Sequence, residues 1–76
     1  MNSSRRNNIG QIIERLNEIG LEIESVKDEE QDYLDNIPEN LQMSQKYYIS
    51  EEAIYSLEEA KDSIEEAIES LEEAKK

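Results

Sequence analysis

The stretch Ala53-Ile54-Tyr55-Ser56-Leu57-Glu58-Glu59, Ala60-Lys61-Asp62-Ser63-Ile64-Glu65-Glu66, Ala67-Ile68-Glu69-Ser70-Leu71-Glu72-Glu73, Ala74-Lys75-Lys76 is a seven-residue unit run three times and begun a fourth. A period of seven in apolar residues marks a helix that packs one seam on another helix. The rest of the chain supplies the partner. Upstream, apolar residues fall at Ile9, Ile12, Leu16, Ile19, Ile23 and Val26, then Tyr33 and Ile37, with Glu30 in the slot between. Steps of three and four alternate, so Ile9, Leu16, Ile23 and Glu30 form one core row and Ile12, Ile19, Val26 and Tyr33 the other. Gly10 and Gly20 lie inside this helix, each costing about 1 kcal/mol relative to Ala, so packing must hold it.

Between the two patterns stands Asp35-Asn36-Ile37-Pro38-Glu39-Asn40-Leu41-Gln42-Met43. Proline drives the residue before it out of the helical region, and Asn36 is a common helix-ending residue. The expected elements are a helix over 4–36 capped by Ser3 or Ser4, a loop over 37–43, and a helix over 44–75 capped by Ser44, with Ser50 as the later start. Ile37, Leu41 and Met43 are expected to fold back over the hairpin end, beside a small cluster holding Tyr33 and Tyr47. Matched helices and a short loop predict an all-α, antiparallel, coiled-coil-like hairpin. The implied register sets Ile23 against Leu57, Leu16 against Ile64, Ile9 against Leu71, Val26 against Ile54 and Ile12 against Ile68. Ile19 then faces Lys61, a poor match. Arg5 and Arg6 come near Glu72 and Glu73, a charge pairing at the helix ends.

Two amphipathic helices alone bury little. Ile13, Gly20 and Leu34 on the first helix and Ala53, Ala60 and Ala67 on the second form the expected flank for a homodimeric four-helix bundle, or for docking on a larger protein, with Ala74 continuing the alanine row. A partly wet monomer is the plainer alternative.

Composition removes whole classes of activity. With no histidine and no cysteine, the usual neutral-pH acid/base, the commonest zinc ligands and a His-activated nucleophile are absent. No enzyme and no cofactor are expected. The carboxylate pairs lack the inward Glu-x-x-His of a bundle metal site, and Asp28-Glu29-Glu30 lacks the spacing of a calcium loop. Twenty acidic against eight basic residues give a net charge of −12, which repels nucleic acid and anionic membranes and attracts basic proteins. No apolar run reaches the ~20 residues of a membrane span, and the first residues do not resemble a signal peptide. A cytoplasmic protein is expected.

Glu58, Glu59, Asp62, Glu65, Glu66 and Glu69 form rows on the second helix away from its seam, and Tyr48 and Tyr55 lie at their loop end. Regular acids along a rod can imitate a phosphate backbone to a basic groove, and tyrosine is enriched at binding surfaces. The plainer reading of the same rows is solvated surface that keeps a small protein in solution.

The Arg5-Arg6 pair, the heptad helix, the turn from Asp35 to Gln42 and the closing Glu-Glu-Ala-Ile-x-x-Leu-Glu-Glu-Ala pattern together resemble small acidic helical proteins encoded by phages and mobile elements of Gram-positive bacteria. The resemblance implies a bacterial host cytoplasm and a gene that travels with mobile DNA. That family has no assigned activity, so it transfers no site residues. Small acidic proteins of such origin often bind and block a host protein, including defence nucleases. The expected function is therefore non-catalytic binding to a host protein with a basic surface, with a structural oligomerisation module and a sponge for a small nucleotide signal as alternatives.

Overall fold

A computed structural model describes residues 1–76. The chain is all-helical: α1 spans Ser3–Asp35, a single 3-10 turn spans Glu39–Leu41, and α2 spans Gln45–Ala74. The two long helices pack side by side into an antiparallel hairpin of 60 × 15 × 12 Å.

The helix ends follow from local chemistry. Asn2, in extended backbone geometry, accepts the Arg5 N–H at 2.8 Å through its side chain and caps α1. The cap therefore precedes Ser3 and Ser4, which are already helical. At the far end Asn36 closes α1, its side-chain amide donating to the Asp32 carbonyl at 2.7 Å. Pro38 at φ −57°, ψ 147° turns the chain into the 3-10 turn. Ser44 then accepts the Tyr47 N–H at 3.4 Å and starts α2 at the earlier of the two expected positions.

The seam between the helices differs from the expected one by a rotation of α1. Ile9, Leu16, Ile23 and Glu30 keep their inward row. The second inward row is Ile13, Gly20, Lys27 and Leu34, all buried or half-buried. Ile13, 8 % exposed, is the most protected apolar residue in the chain, whereas Ile12, Ile19, Val26 and Tyr33 are 38 % to 51 % exposed. The expected pairings through Ile12, Ile19 and Val26 are thereby overturned, and Tyr33 is not core. Leu16 and Ile64 do line one groove, together with Gly20 and Ile68.

Two charged crossings account for the rotation. Lys61, inward on α2, reaches Glu24 at 2.7 Å, and Lys27, inward on α1, reaches Glu58 at 3.3 Å and Glu24 at 3.7 Å. In the expected register Lys61 would have faced Ile19, setting an ammonium against hydrocarbon across the seam. Turning α1 by about one residue brings Glu24 within reach instead. Nearer the turn, the buried Ser50 hydroxyl donates to Glu30 at 2.8 Å, so an acid in the seam is satisfied there too.

The rotation also moves the flank. Ile13, Gly20 and Leu34, expected beside the seam for dimer contact, are inside it. An added Cβ at Gly20 would lie 3.7 Å from Ile64 Cγ2, so Gly20 faces Ile64 across the seam. Met43 is 81 % exposed and Leu41 about half exposed; only Ile37 of the loop's apolar residues folds inward. Arg5 and Arg6 form no ion pair with Glu72 or Glu73, and Glu73 pairs with Lys76 at 3.1 Å.

Because φ at Gly20 is not positive and 3.7 Å is ordinary van der Waals contact, a methyl group fits there. Gly20→Ala should stabilise the hairpin by roughly 0.5–1 kcal/mol and raise its melting temperature by about 3–6 °C in circular-dichroism melts. A fall in melting temperature would show that the helices cannot accept the added methyl.

Candidate functional site

At ~100° per residue, a seven-residue repeat lays each position of α2 in a row along the rod. Beginning beside the seam, the first row is Glu51, Glu58, Glu65 and Glu72; the second is Tyr48, Tyr55, Asp62 and Glu69; the third is Glu52, Glu59, Glu66 and Glu73. All of these side chains are exposed. The expected binding residues Glu58, Glu59, Asp62, Glu65, Glu66, Glu69, Tyr48 and Tyr55 therefore lie on one continuous arc of one helix. Glu51 and Glu52 extend it toward the turn by the same seven-residue spacing.

Within this arc ion pairing is sparse. Glu58 is tied to Lys27 across the hairpin and Glu73 to Lys76. Glu59, Asp62, Glu65, Glu66 and Glu69 have no salt bridge. The repeat itself causes this: apart from Lys61, which turns inward, no cation interrupts the rows between Glu51 and Glu73. A rod so charged has a strong negative potential that bulk salt screens only in part.

The tyrosines mark the turn end of the arc. Tyr55 is 68 % exposed and Tyr48 about half exposed. Tyr47 sits against Tyr48 edge to face, ring centroids 6.1 Å apart at 87°. The Tyr48 hydroxyl donates to Met43 Sδ at 3.4 Å, which anchors its polar tip. Tyr33 belongs to a separate place, a cleft lined with Ile37, Pro38 and Leu41 where α1 meets the loop. Tyr48 and Tyr55 thus lie on the acidic face, as expected, while Tyr33 is half exposed rather than core.

No group of three or more acidic side chains is placed to hold a metal ion. No helix is long and apolar enough to cross a membrane. The fold and this face define a class, an antiparallel helical hairpin with a charged outer surface. Comparison with protein-family models, with curated proteins and with solved structures returns no match.

The inward charges have the clearest electrostatic signature. The hydrogen bond from Lys61, against partial desolvation and aided by Lys27, holds the Glu24 carboxyl below the ordinary value of 4.5. The same hydrogen bond raises the Lys61 ammonium above 10.5. A lowered acid contributes stability that is complete above its unfolded value and is lost as pH falls through the folded one; a raised lysine contributes below its unfolded value and loses it as pH rises through the folded one. The pair is thus fully effective between those limits.

Melting curves of the chain and of Glu24→Gln should differ by a constant amount from about pH 6 to 9 and draw together as the pH falls below 4.5. Acid also relieves repulsion among the other carboxylates in both proteins, so the difference between them isolates the pair. A gap that widens in acid would contradict the assignment.

Proposed function

We propose that this chain is a non-catalytic protein-binding module whose acidic arc on α2, begun by Tyr48 and Tyr55, occupies a basic surface on a partner protein. The observation that carries this reading is the run of unpaired Glu59, Asp62, Glu65, Glu66 and Glu69 along one face of a straight rod, contiguous with two exposed aromatic rings. Carboxylates supply long-range attraction to Lys and Arg, and the rings supply contact area with little side-chain entropy to lose.

In its narrower form the proposal is an inhibitor: the basic surface is one that otherwise holds nucleic-acid phosphates, on a defence or nucleic-acid-binding protein of a bacterial host cytoplasm. Regular charge along a rod is the property that such a groove selects. A nucleotide sponge is less well supported, because Lys27 and Lys61, the cations of the seam, are already engaged by Glu24 and Glu58.

The test is capture from a Gram-positive bacterial lysate by the tagged chain and by a variant carrying Glu59→Gln, Asp62→Asn, Glu66→Gln and Glu69→Gln. The expected result is a protein retained at low salt by the unaltered chain, released at high salt or by added polyanion, and bound at least ~10-fold more weakly by the variant. Equal retention by both chains, insensitive to polyanion, would remove the acidic arc from the interaction.

A further inference from the structure

Continuing around α2 past the last glutamate row, the surface changes character. The next row is Ser56, Ser63 and Ser70, and the one after it, back against the seam, is Ala53, Ala60 and Ala67. Every acid between Glu51 and Glu73 lies on the other side of the helix. Across the seam, the row of α1 next to these alanines is Ile12, Ile19, Val26 and Tyr33, the residues that the rotation of α1 leaves 38 % to 51 % exposed. An antiparallel pair sets this row beside the alanine row because the charged crossings Lys27–Glu58 and Lys61–Glu24 occupy the opposite side of the seam. One side of the hairpin thus carries the ionic crossings, and the other a strip of large apolar side chains, with Glu29 beside Val26 and Tyr33, alongside a strip of small neutral ones.

From this arrangement we infer that the Ile12–Tyr33 row and the Ala53–Ala67 row together form the face on which a second copy of this chain docks, giving an isologous four-helix bundle. Three observations select a second copy. The first is area: the chain exposes 5835 Å², whereas a globular chain of 8.9 kDa exposes ~4,800 Å², and the excess of about 1,000 Å² is close to the ~800 Å² that each partner gives to a standard interface. The second is shape. A two-fold axis parallel to the helices lays α1 of each copy, large row inward, over the small row of the partner's α2, antiparallel to it. Large meets small at matched height along ~20 Å of rod, the span from Ala53 to Ala67 at 1.5 Å per residue. The third is charge. Two chains of −12 repel, so docking requires a face from which acids are removed. On α2 only the serine and alanine rows, beside the inward seam, meet that condition. The acidic arc points away from the dimer and stays free, so this inference is independent of what the arc binds.

The experiment is light scattering on the intact chain at ~100 µM at low and high salt, with helicity followed by circular dichroism. The expected mass is twice 8.9 kDa, and the dimer should tighten as salt screens the like charges, opposite to the acidic arc's response. The double variant Ala60→Glu with Ser63→Glu puts acids on the small row, and Val26→Glu puts one on the large row; each should associate at least ~10-fold more weakly while the chain remains helical. Glu59→Gln with Glu66→Gln, on the outer face, should leave the dimer intact. A monomer mass for the unaltered chain, an assembly larger than two, a dimer that survives in a helical variant, or loss of the dimer in the outer-face control would each overturn the inference.

Discussion

Lys61 and Glu24, 2.7 Å apart across the hairpin, set the rotation from which the other features follow. A lysine at an inward position is costly against hydrocarbon, and turning α1 gives it a carboxylate across the seam. That turn carries Lys27 to Glu58, places Ile13 and Gly20 in the seam, and lifts Ile12, Ile19 and Val26 out of it. Such crossings contribute little net stability when partly exposed. Their effect is on specificity: a slip of the helices past each other would separate both pairs at once, as a polar residue at a core position does in coiled coils.

The arrangement divides the molecule by polarity. Around α2 the repeat presents in turn a seam, an acidic arc and a small neutral strip, so a single seven-residue unit encodes three surfaces. The pattern Ala-x-x-Ser followed by Glu-Glu looks like low complexity when written as a line. Wound at 3.6 residues per turn, it sorts every acid away from the alanines.

How much of this could be read from the sequence depends on the residue. The turn was legible because Pro38 is the one proline of the chain and Ser44 is the first serine after it. The row Ile9, Leu16, Ile23 was legible because nothing competes with it. The second row was not, because Ile12 and Ile13 are neighbours of identical chemistry and periodicity cannot choose between them. Size pointed to Ile19 and Val26, and the structure selects Gly20 and Lys27, since the criterion is satisfaction of charge across the seam. The α1 cap was ambiguous for a similar reason: Asn2, Ser3 and Ser4 are all competent, and position decided. On α2 the candidate face was legible in full, since exposed rows of a regular helix need only the period.

The hairpin has one turn, and its long-range pairings all close through it. Glu30 and Ser50 close the shortest of the named crossings, then Lys27 with Glu58, then Glu24 with Lys61, with Gly20 and Ile64 farther out. Each crossing, once made, shortens the loop that the next must close, so the entropic cost is met in small steps. Loop-closure entropy therefore favours a zipper started at Pro38, with the end that carries Arg5 and Lys75 the last to close.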